Sequence, residues 1–152
     1  MATIDLNRAS AGDFVRRLDA IKTSDQRCWG TLDPAALMRH LNYVFEASLN
    51  EQQAEKVFIP LPRFVVWYLF FVWFTRWPEG KIKAPDSFCP DGDGKLEEER
   101  ARCVAALWRF VEALETAPER KGFSPLLGSI SLRRWSRVHG VHLAHHLRQY
   151  GV

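Results

Sequence analysis

The chain has 152 residues, 47% hydrophobic and 26% charged, and its 21 Lys and Arg against 18 Asp and Glu give a net charge of +3. This length and composition predict a single folded domain, residues 1–152, and exclude a disordered chain. The charge balance is too small to indicate nucleic-acid binding, since the basic residues are dispersed among acidic ones.

The cysteines and the N-terminus indicate a compartment. Cys28, Cys89 and Cys103 are odd in number and widely spaced, which fits neither a disulfide framework nor a zinc knuckle. The stretch MATIDLNRASAGDF carries charges where a signal peptide would have its apolar core. We therefore expect the protein in the cytoplasm.

Two helices are predicted in the first third of the chain. The first begins at Ser10, whose hydroxyl can cap the free amides, and runs to about Ile21. The second begins after Asp33, a natural cap, with Pro34 in its first turn. Its apolar stripe has helical spacing through residues 34–52.

The third predicted helix follows the PLP at 60–62 and ends before Pro78. Its core, FVVWYLFFVWF at 64–74, is apolar on all sides, yet too short for a membrane span of about 20 residues. It must therefore be covered on most sides. We consider, in this order, the central helix of a bundle, a homodimer interface and a segment resting in a membrane surface.

The rest of the chain predicts a loop and two more helices. Residues 78–94, rich in Pro and Gly, form a long surface loop of the kind that often borders a site. A fourth helix spans 95–114, and a loop at 116–130 leads to Ser131, the cap of a fifth helix that ends near Tyr150. Because no run alternates with period two, the predicted fold class is an all-α helical bundle.

Histidine is concentrated at the C-terminus, in HGVHLAHHLRQYGV at 139–152. At about 100° per residue, His142 and His146 lie only about 40° apart around the last helix, one turn from each other. An i, i+4 pair of imidazoles lets one helix donate two ligands to one cation. His145 is expected to point away, among valines.

Two imidazoles seldom hold a metal alone, and the remaining histidine is His40. It lies at the edge of the apolar face of the second helix, so it points to the bundle interior or its mouth. Three neutral imidazoles would leave a coordination position free, as in reactive metal sites. The alternatives are core histidines, each with one hydrogen bond, or a pH-sensitive surface patch.

The C-terminal stretch from His142 to Val152 reads H-x-x-H-H-L-R-Q-Y-G-V. It resembles the terminal signature of a domain-of-unknown-function branch of the DinB/YfiT-like superfamily. Further patches match in the same order: WGTLDPAALMRHL at 29–41, GDGKLEEERARCVAAL at 92–107 and GSISLRRW before the last helix.

The resemblance implies a four-helix up-down-down-up bundle, here with an extra short helix, that holds a divalent cation through His40, His142 and His146. Relatives tend to carry His-Pro ahead of the last helix, where this chain has Ser124-Pro125. The role of that histidine therefore does not carry over.

Members of this superfamily that resemble the chain include thiol-dependent S-transferases and a few metal-dependent hydrolases or isomerases. The resemblance therefore implies a small metal-dependent enzyme, with transfer of a low-molecular-weight thiol favoured over hydrolysis. His139, one turn from His142, is the candidate catalytic residue for proton transfer, with a core histidine as the alternative. Tyr43 could orient a bound group or simply pack, and Gln149 could hydrogen-bond a ligand ring.

Two alternatives concern the identity of the metal and whether the protein is an enzyme. Imidazole suits zinc, copper, nickel and iron alike, so the ligands do not choose the metal. Affinity and availability favour zinc or nickel, with iron or manganese as the alternatives. The non-enzymatic alternative is a metal-stabilised or metal-free bundle that acts through dimerisation by residues 64–74 or through membrane contact. It stays open because no carboxylate base is identified near the site.

Overall fold

A computed structural model describes residues 4–152 of the chain. Within that range the chain is mostly helical, with one two-stranded antiparallel sheet. A π-helical segment continues the third helix, and one 3-10 turn interrupts the predicted 78–94 loop. The elements are α1 (Arg8–Ala20), α2 (Pro34–Ser48), α3 (Arg63–Trp67) with the π segment (Tyr68–Trp73), the 3-10 turn (Asp86–Phe88), α4 (Leu96–Thr116), β1 (Lys121–Ser124), β2 (Gly128–Ser131) and α5 (Leu132–Gln149).

The helix starts follow local capping. The Asp33 side chain accepts a hydrogen bond from the third residue of α2, and the Ser131 side chain does the same in α5, as predicted. The first helix starts earlier than predicted, because Asn7 is the cap and Ser10 completes a reciprocal capping box with it. The second helix ends at Ser48, before the predicted residue 52.

The two histidine-bearing helices lie in one apolar core. Helix α2 packs against α4 and α5, and α1 packs against α4 and α5. Large side chains at the shared interfaces are almost fully buried, among them Phe45, Phe110 and Trp135. Burying such a side chain contributes about 1.5–3 kcal/mol, so this packing holds the facing surfaces of α2 and α5 in place.

The all-α prediction is wrong for residues 116–130, which contain most of a β-hairpin. Lys121 pairs with Ser131, and Ser124 pairs with Gly128 across the antiparallel strands. Gly128 has φ 74°, a conformation that glycine adopts without steric cost. The Asn50 amide joins the hairpin to the end of α2 through the Lys121 carbonyl and the Phe123 amide, at 2.9 and 3.1 Å. Strands of four residues are too short to show a clear alternation in sequence.

The apolar stretch 64–74 does not form a central helix, contrary to our first expectation. Val66 and Phe71 are buried, but Phe64 is 74% exposed, Tyr68 52% and Trp73 68%. The sequence is apolar all round, yet the core covers only one side of the helix. None of the helices in residues 4–152 combines the length and apolarity that crossing a bilayer requires.

Gly140 in α5 is where the N-terminal segment meets the last helix. The Leu6 amide donates to the Ser136 carbonyl at 2.9 Å, and the Ser136 hydroxyl donates to the Leu6 carbonyl at 2.8 Å. A Cβ at Gly140 would overlap the Ile4 carbonyl, so only glycine permits this approach. We expect Gly140→Ala to lower the free energy of unfolding by about 1–3 kcal/mol, measured by denaturant titration.

The matched control is Gly12→Ala in α1, where an added Cβ meets no described atom within 4 Å. Because alanine favours a helix interior over glycine, this variant should gain about 0.5–1 kcal/mol. Equal effects of the two substitutions would contradict the docking of residues 4–6 on α5.

Candidate metal centre

Three imidazole rings converge between α2 and α5. His142 and His146 lie one turn apart on α5, and His40 faces them from α2. The His142 Nε2 atom lies 3.0 Å from the His40 Nε2 atom and 3.0 Å from the His146 Nε2 atom. One ligand atom from each ring lies within 4.8 Å of the other two. The set predicted from the sequence is therefore brought together.

Hydrogen bonds on the far side of two rings fix which nitrogen faces the cluster. The His40 Nδ1 atom donates to the Phe88 carbonyl at 2.7 Å, and the His146 Nδ1 atom donates to Gln149 Oε1 at 2.8 Å. A neutral imidazole carries one proton, so both Nε2 atoms then present lone pairs. The arrangement of metal-binding histidines is the same: one nitrogen binds the ion and the other donates to an oxygen.

Burial keeps these rings neutral. Loss of solvation lowers the pKa of His40. It lowers the pKa of His142 and of His146 well below the usual value, and neighbouring imidazoles lower both further. A ring nitrogen that binds a metal must carry no proton, and a neutral imidazole has one such nitrogen. The neutral rings can therefore bind a cation without first releasing a proton to solvent.

The spacing of the nitrogens fits a small divalent cation. Two imidazole nitrogens on a tetrahedral zinc, each at about 2.0–2.1 Å, lie roughly 3.3 Å apart. The 3.0 Å separations are close to that value. The single N–H of His142 can donate to only one of the Nε2 lone pairs of His40 and His146. A cation, in contrast, would accept a lone pair from each of the three rings. The residues therefore fit a metal ion.

The cluster lies in the wall of a cavity of about 440 Å³, a typical size for a small-molecule site. The predicted 78–94 loop borders it, with Lys81, Pro85 and Phe88 in the wall. The Phe88 carbonyl also anchors His40, so the same loop shapes the cavity and orients a ligand ring.

Tyr43 and Ser124 also line this cavity. Tyr43 stacks on Phe88 with ring centroids 6.0 Å apart, and its hydroxyl donates to the Gln53 carbonyl at 3.4 Å. Ser124, at the position where relatives tend to have histidine, is buried and accepts a hydrogen bond from the Leu127 amide at 3.2 Å. Its hydroxyl thus supports the hairpin turn.

The candidate proton-transfer residue His139 lies in the core and not in the cavity wall. Its ring stacks on Phe45 and Trp135, and its Nε2 atom lies 2.9 Å from the Ser48 hydroxyl. Burial lowers its pKa to about 3. This geometry matches the alternative reading, a core histidine beneath the site.

His145 was expected to point away from the cluster, and this prediction is wrong. It is 3% exposed, lines the cavity and lies beside His146 with ring centroids 5.3 Å apart. Trp77 and Trp29 cover it at centroid distances of 5.3 and 6.3 Å. Both tryptophans come from other parts of the chain, so helical periodicity alone could not reveal this burial.

Comparison with known proteins gives a family and no function. A search of curated proteins and a search of solved structures each return no match. A family model covers residues 1–151, nearly the whole chain. The chain therefore belongs to the family described as a protein of unknown function (DUF1569).

Proposed function

We propose that the protein binds one divalent metal ion through His40, His142 and His146 and uses it in catalysis. The observation that carries this proposal is the convergence of three Nε2 atoms, two of them on rings whose Nδ1 atoms are held by oxygens. Zinc or nickel is the proposed ion, with iron or manganese as the alternatives.

We further propose that the fold is the four-helix up-down-down-up bundle of the DinB/YfiT-like superfamily. In this proposal α1, α2, α4 and α5 are the bundle helices, and α3 with its π segment is the extra element. The long helices and their mutual packing support this assignment, as does the origin of the ligands from the second and last bundle helices.

The proposed reaction is the transfer of a low-molecular-weight thiol to an electrophilic carbon, in which the new S–C bond replaces the bond to the acceptor's leaving group and the thiol proton passes to solvent. A divalent cation bound by three imidazoles lowers the pKa of a thiol or a water molecule that it contacts. A hydrolase site of this kind would be supported by a carboxylate general base, and no Asp or Glu within residues 4–152 lines the cavity. A thiol is acidic enough to react without one, which favours thiol transfer. We place the reaction in the cytoplasm, where thiols stay reduced.

Protein purified without a histidine tag should contain close to one equivalent of metal by elemental analysis. Metal-loaded protein should transfer at least one thiol of a broad panel to an electrophilic acceptor, and protein stripped by a chelator should not. Metal-loaded protein that is inactive with every thiol would rule out the transferase and leave a binding protein.

A second candidate function is homodimerisation through the exposed face of residues 64–74. Phe64, Trp73 and Phe74 are 74%, 68% and 57% exposed, and large apolar patches mark interaction sites. We propose a second copy of the chain as the partner, which would return the apolar segment to the covered state that its composition demands.

Light scattering should therefore give a dimer mass for the wild type and a monomer mass for Phe64→Glu with Trp73→Glu. Trp108→Gln, at an exposed aromatic on α4, is the control and should stay dimeric. A monomeric wild type that sediments with lipid vesicles would replace this proposal with membrane contact.

A further inference from the structure

We infer that the cavity binds an organic anion that has an apolar body and one anionic head, a carboxylate or a thiolate. The head binds at the three-histidine cluster and the body fills the apolar part of the cavity. This inference rests on the proposed metal centre and names the class of molecule that the centre acts on.

The walls determine the body of the ligand. Aliphatic and aromatic side chains make up most of the lining, and they come from α2, the segment before α3, α3 itself, the hairpin turn and α5. Examples are Val44, Val57, Ile59, Val66, Leu126 and Val138. A polar molecule the size of the cavity would lose its hydration here without replacement hydrogen bonds, which is costly. An alkyl or aryl group would gain free energy on leaving water.

One end of the cavity differs from the rest. Besides the cluster, His145 lines it, and the His145 Nδ1 atom has no hydrogen-bond partner among residues 4–152. The ring is 3% exposed, so a polar atom of a bound molecule is the natural partner for this nitrogen. The His145 and His146 ring centroids are 5.3 Å apart, so this unpartnered imidazole is a direct neighbour of the cluster.

The charges determine the sign of the head. Three neutral imidazoles leave the charge of a divalent cation uncompensated. The exposed Lys81 and Lys83 form part of the lining, and no Asp or Glu among the described residues does. Glu55 and Glu79 lie near the lining residues Tyr43 and His145 without joining the lining. An anion is therefore attracted to this cavity, whereas a cation is repelled.

The test is calorimetric titration of metal-loaded protein with octanoate, octanethiol, 1-octanol and acetate. We expect octanoate or octanethiol to bind at least about tenfold more tightly than acetate, because acetate lacks the alkyl body. The same ligand should bind at least about tenfold more tightly than octanol, which lacks the anionic head. Whichever of octanoate and octanethiol binds more tightly identifies the head as carboxylate or thiolate.

Two variants separate the apolar body from the charge. Ala47→Leu adds side-chain volume to the part of the cavity wall on α2 and so makes the cavity smaller. It should lower the affinity for octanoate and for octanol alike and leave the metal content unchanged. Lys81→Glu with Lys83→Glu replaces two exposed side chains, so the core stays intact. This double variant should lower the affinity for the anion and leave the affinity for octanol unchanged.

Metal content of the same samples distinguishes the two proposals. Protein that holds its metal but binds octanoate and octanethiol no better than acetate or octanol overturns this inference alone. Protein that holds no metal overturns the proposed metal centre. Anion affinity that is unchanged after the metal is stripped overturns the placement of the head at the cluster.

Discussion

His40→Ala, His142→Ala and His146→Ala should each abolish stoichiometric metal binding. Each substitution leaves two imidazoles, and the remaining Nε2 atoms no longer surround an ion. The affinity should fall by more than about 100-fold, the upper end of the effect of removing only a ring's hydrogen-bond partner. Elemental analysis after dialysis, followed by competition with a metal indicator, measures the loss.

His145→Ala is the matched control for these three variants. His145 is a buried neighbour on the same helix, but it contributes no atom to the cluster. It should keep its metal while the other three lose theirs. A chelator should lower the thermal midpoint of the wild type and of His145→Ala, because a ligand at about 1,000 times its Kd stabilises a protein by about 4 kcal/mol. Metal that survives all three ligand substitutions contradicts the site.

Gln149→Met should weaken metal binding by about 10- to 100-fold without abolishing it. The Gln149 Oε1 atom accepts the Nδ1 proton of His146, which fixes the ring orientation and directs Nε2 to the cluster. Methionine has nearly the same length but offers no strong acceptor, so the ring loses this constraint. The measurement is the metal Kd by indicator competition.

Gln149→Glu provides the opposite change at the same atom. The carboxylate accepts the same proton and makes the imidazole a better donor to a cation, so affinity should equal or exceed that of the wild type. If Gln149→Met and Gln149→Glu bind metal equally well, the hydrogen bond to His146 does not support the site.

Part of this centre could be predicted because it depends on local geometry. Asp33 and Ser131 cap their helices through the amides of residues three positions later, so nearby residue types suffice. His142 and His146 share a face because four residues make slightly more than one helical turn. The capping box of Asn7 and Ser10 is equally local, and it was missed because Ser10 alone satisfied the rule.

His40 required more than spacing. Its position on α2 placed it near the apolar face, but nothing in the order of residues brings that face to the last helix. His40 was selected because it is the one histidine outside residues 139–146, and the resemblance to the DinB/YfiT-like superfamily implied the same three ligands. The packing of α2 against α5 brings His40 to the other two rings.

The hairpin, the exposed side of residues 64–74 and the burial of His145 depend on contacts between distant segments. Asn50 holds the edge of β1, and Trp77 and Trp29 cover His145. Residue types and periodicity indicate which side chains avoid water and which cap or share a face of a helix. They do not indicate which distant segment will cover a given face, because that depends on how all the apolar segments of the chain pack together in one core. Local rules thus determined the caps and the histidine pair, and long-range packing decided the cavity that surrounds them.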